Sequence, residues 1–296
     1  MKKALLLLLV LMSGLVIVAQ NNVHTSPNQP FEADSIFKAD YTKKALRAIP
    51  EGISDFINLQ ELILKDNHIT EINSELCALS HLKVIDLYEN EVVSIDTNIN
   101  QLQQLEVLHL GRNKIETLPE QIGELSQLKF FYISENALVK LPSNLSGWTR
   151  LELLEAYQNK IDSIPEDIEN LKSIKTLNLG YNNIKAIPEG LYTLTTLLNL
   201  YLEQNQITAI DEAIGDLKQL KVLSLAGNQL TELPKSIKKL KALELLIVSQ
   251  NQLTKLPKSL KKLKQLSTLI LVDNNFSEEE KERIKEQLKG VNVIRF

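Results

Sequence analysis

Cysteine is nearly absent: Cys77 is alone in 296 residues. An unpaired thiol cannot staple a fold, so stability has to come from packing. Histidine is scarce, with four in the chain, and no cluster of Cys and His has metal-ligand spacing, so neither a metal nor another cofactor is expected. The phosphate loop G-x-x-x-x-G-K-[ST] does not occur, which excludes a GTPase part built on that loop. Neither sign of charge dominates. Thirty-three basic against 37 acidic residues give −4, which speaks against a general nucleic-acid binder.

What is present is a beat. Asn67, Asn90, Asn113, Asn136, Asn159, Asn182, Asn205, Asn228, Asn251 and Asn274 follow one another at 23 residues without an insertion. The first apolar position of each unit keeps the same interval, reading Leu59, Leu82, Leu105, Leu128, Leu151, Ile174, Leu197, Leu220, Leu243 and Leu266. Within the unit LEVLHLGRNKIETL from Leu105, Leu108 and Leu110 fall on one face of an extended strand and His109 on the other. The chain must then cross the back at Leu118, Ile122 and Leu125 and return beside its own start. This makes a parallel sheet with one coil per repeat. Pro119, Pro142, Pro165, Pro188, Pro234 and Pro257 follow the descending apolar residue and favour an irregular or short-helical back wall. The repeated Asn sits at the bend, where its amide can donate to and accept from turning backbone, and reads as a structural ladder.

The pattern L-x-x-L-x-L-x-x-N-x-L at this interval resembles the leucine-rich repeat family, with repeats of the typical 23-residue bacterial type, over about residues 36–296. The resemblance implies an α/β solenoid: a curved horseshoe with a parallel β-sheet on the concave face and an irregular or short-helical convex side. A solenoid spreads its core along a line, so one elongated domain is expected.

Residues 1–19, MKKALLLLLVLMSGLVIVA, read as a signal peptide, with two lysines, an apolar run and Ala19 before polar QNN. The rival reading is an uncleaved anchor, since the run from Ala4 to Ala19 is only slightly short of a bilayer span. Cleavage would take the net charge to −6. Residues 20–35 are expected to be a flexible lead-in. Residues 36–58 fit the later positions of a repeat with a degenerate front half and read as the N-terminal cap, with Lys44 where Asn would stand. Tandem repeats occupy 59–274, and 275–296 form a C-terminal cap. In that cap Ser277 caps a helix with Glu280 at the capping-box position, Gly290 ends the helix, and VNVIRF gives a last strand.

Function is expected on the outward side of the strands. One column reads Ile63, Asp86, His109, Tyr132, Glu155, Asn178, Tyr201, Ser224, Ile247 and Ile270. The next includes Lys65, Tyr88, Tyr157 and Glu203, and a third Arg112 and Tyr181. Five of the seven tyrosines lie in these columns. Tyrosine combines a broad apolar face with a polar tip and little entropy to lose, as recognition surfaces require. The candidate binding residues are therefore Asp86, Tyr88, His109, Arg112, Tyr132, Glu155, Tyr157, Asn178, Tyr181, Tyr201 and Glu203. The plainer alternative is that tyrosine merely suits an exposed strand. The acidic flanks point to a basic or hydroxyl-rich partner.

A second candidate is a basic patch on the back of the last repeats, Lys235, Lys238, Lys239, Lys258, Lys261 and Lys262, at matching positions of two units. It could meet anionic polymer or lipid head groups, or simply be a solvated face. An enzyme is not expected: Asp86, His109 and Glu155 share a column on an open sheet without pocket, oxyanion site or nucleophile. Ala156, Phe131 and Trp148 break the core pattern together and read as volume compensation.

The sequence thus predicts an exported, non-catalytic scaffold, secreted, periplasmic or on the outer cell surface, that recognises a protein partner on its concave sheet. The alternative is a carbohydrate-binding or adhesive surface protein. Nucleic acid is not an expected partner, and membrane contact is expected only through a retained leader.

Overall fold

The computed structural model describes residues 23–25 and 33–296. The expected leader, 1–19, lies outside them. Among the described residues no helix is long and apolar enough to cross a membrane.

Each coil contributes one short strand to a 13-stranded sheet, which begins at Val23–His24 and Lys38–Asp40, advances one repeat at a time from Glu61–Ile63 to Thr268–Ile270, and ends at Val293–Arg295. Every neighbouring pair in it is parallel, and from Lys38–Asp40 to Thr268–Ile270 each residue pairs with the one 23 positions on. The middle residue of each strand faces inward, so Leu62, Ile85, Leu108, Phe131, Leu154, Leu177 and their successors form one continuous fully buried file. Strands stack at about 4.8 Å. The helical turns behind them are bulkier, and the sheet becomes the inner side of a curve.

Proline ends the pairing on the convex side. The helical turns do not depend on it, since Asp96 and Asp211 also stand at the N-terminus of five-residue 3-10 helices. Glu71–Ile72 and Ser94–Ile95 pair as a two-stranded sheet on the convex side, closed by the Asp96 N–H donating to the Ile72 carbonyl at 2.9 Å. The equivalent of Asp96 one coil later is Pro119, which has no N–H, and the ladder stops there. From that point Pro119, Pro165, Pro188, Pro234 and Pro257 each stand at the N-terminus of a five-residue 3-10 helix.

Pro142 is the exception. Its coil has only the short turn Trp148–Arg150, and its backbone presses on the preceding coil: a Cβ on Gly123 would lie 1.8 Å from the Asn144 carbonyl oxygen. Trp148 fills the space, its ring edge-on to Phe131 at 5.5 Å and its indole N–H donating to the Ile122 carbonyl. In the next coil the position held elsewhere by Leu, Ile or Val is the small Ala156, fully buried.

At the two ends the structure differs from the sequence reading. Within the lead-in, Val23–His24 is a strand paired with Lys38–Ala39, and the buried His24 ring meets the Tyr41 hydroxyl at 2.6 Å. An edge strand leaves unpaired backbone groups, which this short pairing covers. At the far end the helix Glu278–Gln287 takes its cap from Ser277, whose side chain accepts from the Glu280 N–H. Glu280 does not return the bond. Its carboxylate instead accepts from the Leu256 N–H at 2.9 Å, tying the helix to the last coil. Gly290 is not a left-handed helix stop, because the helix has already ended at Gln287 and Leu288 turns in against the core.

Candidate functional site

The expected column is a continuous row: Asp86, His109, Tyr132, Glu155, Asn178 and Tyr201 are register partners across successive strands. Tyr88, Tyr157 and Glu203 stand two residues further along their strands. Arg112 and Tyr181 occupy the corner where the chain leaves the sheet. That corner is left-handed in each coil from Asp66 to Asp273, with φ of 54° at Arg112 and 56° at Tyr181. A side chain held there projects from the rim, and Tyr181 is accordingly 55% exposed.

The ladder asparagines fix this corner. Asn182 is representative: its Nδ2 donates to the Ala156, Leu179 and Gly180 carbonyls at 3.0, 3.0 and 3.1 Å. Its Oδ1 accepts from the Ile161 N–H at 2.9 Å. One carboxamide thus joins two coils and serves four backbone groups, of which the Ile161 N–H has no other partner among the described residues. Asn67, Asn90, Asn113, Asn136, Asn159, Asn205, Asn228, Asn251 and Asn274 each accept from the N–H 21 residues before and donate to the carbonyl 26 residues before. All ten are therefore structural.

The concave row divides into two electrostatic halves. In the first, the rings of Tyr88, His109 and Tyr132 stack in sequence, with centroids 4.8 and 4.9 Å apart. Lys65 Nζ and Arg112 Cζ lie 5.0 and 5.5 Å from the centre of the Tyr88 ring. Burial holds the His109 imidazole below its ordinary pKa, while Asp86, 3.5 Å away, pulls the other way. Arg112 bridges Glu135 at 3.0 Å and Glu89 at 3.4 Å, and Tyr157 donates its hydroxyl to the other oxygen of Glu135 at 2.9 Å. Arg112, Glu89 and Glu135 in this half are thus ion-paired. Glu135 and Lys65 are not among the candidate residues, yet they hold Arg112, Tyr157 and Tyr88; the signal for Glu135 was its place one repeat after Arg112.

In the second half the acids are unpaired. Burial raises the Glu155 carboxyl above its ordinary range. Glu203 lies back over Gly180, where a Cβ would stand 3.0 Å from its carboxyl carbon, and its Oε2 is buried without a hydrogen-bond partner. Among the described residues no Lys, Arg or His is within salt-bridge distance of either. Tyrosines surround them: the hydroxyls of Tyr132 and Tyr157 are pushed up to about 12, by burial first and then by neighbouring carboxylates. Tyr201 is raised for the same two reasons, by burial and by Glu203 and Glu155. Asn178, between Glu155 and Tyr201, is turned to its own strand end and accepts from the Gly180 N–H. Partly desolvated carboxylates among tyrosine faces and without a counter-ion are suited to hold a cation. Among the described residues no group of three or more His, Cys, Asp or Glu is arranged to hold a metal ion.

The lysines of the second candidate sit on two stacked 3-10 helices, Lys235–Lys239 and Lys258–Lys262, whose Ile237 and Leu260 are buried. Lys239 reaches Asp216 at 3.9 Å. Lys235, Lys238, Lys258, Lys261 and Lys262 have no ion-pair partner among the described residues.

Profiles of the leucine-rich repeat region match residues 42–163 and 210–285, and a leucine rich repeat profile matches 172–230. The chain belongs to the leucine-rich repeat family. No curated protein matches it. Among solved structures, a leucine-rich repeat protein of Leptospira interrogans is 29% identical, with 92% of this chain and 82% of that one covered and a TM-score of 0.66. An internalin of Listeria monocytogenes is 26% identical over 83% of this chain and 76% of that one, with a TM-score of 0.64. A plant peptide hormone receptor solved in complex with RGF2 is 24% identical, over 77% of this chain and 42% of the receptor, with a TM-score of 0.66. At that identity the likeness is one of fold. This leucine-rich repeat chain thus places the inward leucines in the core and leaves the varying columns as its accessible concave surface.

Proposed function

We propose that the chain is an exported, non-catalytic recognition scaffold whose concave sheet docks a protein partner through basic side chains. The observation that carries this reading is the pair of unpaired carboxylates, Glu155 and Glu203, set among Tyr132, Tyr157 and Tyr201. A lysine or arginine from a partner supplies the missing charge and lies against the ring faces. The rigid sheet holds these groups in place beforehand, so docking costs little ordering entropy. The peptide complex of the plant receptor supports protein ligands for this fold. Export rests on the basic and apolar start of the sequence.

Capture from envelope extracts by the immobilised chain, run beside a glycan array, tests the proposal. A captured protein released by excess soluble polylysine is the expected result. Array binding with no captured protein would overturn it and favour the carbohydrate reading, in which sugar rings stack on an open face such as Tyr181.

A further inference from the structure

The charge of this chain is unevenly distributed. Residues 217–272 contain eleven lysines against Glu232 and Glu244, a net of +9, which leaves −13 for the remainder. The fold concentrates this excess. Lys235, Lys238 and Lys239 lie on one convex helix, and Lys258, Lys261 and Lys262 occupy the same positions on the next, with the two helices stacked. Five of the six have no ion-pair partner among the described residues. Like charges stacked this way repel, and the coil does not need them, because the inward residues alone fill the core.

We infer that this convex lysine face docks on an anionic phospholipid bilayer. Three features favour a flat lipid surface. The charges spread in two directions, along each helix and across coils, so they meet a plane of head groups together, whereas a single polymer strand would follow one file. Lysine, a hydrated point charge on a flexible stem, suits many shifting phosphates better than one fixed, bidentate contact. None of the exposed large hydrophobic residues, Val23, Ile57, Val93, Val139, Tyr181 and Val293, lies in the patch, so contact is electrostatic and does not insert. The acidic remainder is repelled by the same surface, which turns the concave sheet away from the bilayer and towards a partner. This contact is additional to any made by the leader and independent of how the concave sheet is used.

The test is co-sedimentation of the full chain with phosphatidylglycerol-containing vesicles and with pure phosphatidylcholine vesicles. Binding to the first and not the second is expected, and it should disappear between about 0.1 M and about 1 M salt as the screening length falls from about 10 to about 3 Å. Lys261→Glu with Lys262→Glu should weaken vesicle binding by at least about 25-fold, at roughly fivefold per lysine. Lys160→Glu with Lys185→Glu makes the same change of net charge elsewhere on exposed residues and should shift binding by less than about twofold. Equal losses in the two variants, binding to neutral vesicles, or tighter binding to dextran sulfate than to the anionic vesicles would each overturn the assignment.

Discussion

Tyr132 and Glu155 are register partners on adjacent strands, and the carboxylate helps to push the tyrosine hydroxyl up to about 12. The burial that raises Glu155 itself comes with no compensating cation. A group whose folded pKa is raised stabilises the fold below its unfolded value and loses that contribution as pH rises through the folded value. At neutral pH Glu155 is therefore a cost to stability, retained at the proposed binding surface. Glu155→Gln is expected to stabilise the protein by on the order of 1 kcal/mol at pH 7 while weakening partner capture. Denaturant midpoints and binding measured on the same preparation check both; a loss of stability would show that Glu155 already has a favourable partner.

His109 gives an opposite pH dependence. Its folded pKa is depressed, mainly by burial. The stability linked to it is complete above the unfolded value, about 6.5, and falls as pH drops from there towards the folded one. Asp86 opposes the depression. Asp86→Asn should move the His109 titration, followed by its ring proton resonances, further down and deepen the loss of stability between neutral and mildly acidic pH. An upward movement would contradict the assignment.

Removing a ladder residue should cost far more than its size suggests. Asn182→Ala strands the Ile161 N–H inside the coil, while the Ala156 and Leu179 carbonyls each lose one donor and keep another, from Asn159 and Asn205. At about 1–3 kcal/mol for a buried unpaired group, a loss of about 1–3 kcal/mol is expected. Chemical denaturation reads it directly, and a change below about 1 kcal/mol would mean that water replaces the amide.

The left-handed corners store strain. Gln158 is exposed and has φ 55°, a conformation that costs a residue with a Cβ about 1–2 kcal/mol. Gln158→Gly relieves that at a somewhat smaller cost in chain entropy, so a gain of up to about 1 kcal/mol is expected. A lower melting midpoint for this variant would refute the strain argument.

The repeat was legible because one apolar interval and one asparagine have few physical alternatives: an equal-length coil stacks in register or leaves its leucines in water. The order of the concave row followed from the same count. The left-handed corners did not show, since Arg112, Tyr181 and Gln204 stand where a glycine would have signalled them and Gly227 does so once. The end of the short convex ladder turned on a single N–H, present at Asp96 and absent at Pro119. The pairing of Arg112 and Tyr157 with Glu135 depends on long side chains reaching across coils, which no local pattern encodes. Glu280 formed half of its expected motif because the Leu256 N–H offered its carboxylate a nearer buried use.

The concave sheet as docking surface is tested most directly by Tyr132→Ala with Tyr157→Ala. Binding to the captured partner and the unfolding midpoint are measured on the same samples. The account predicts binding reduced at least about 30-fold, as for central aromatic anchors, with the midpoint lowered by no more than a few degrees. Unchanged binding by the folded double variant would contradict it.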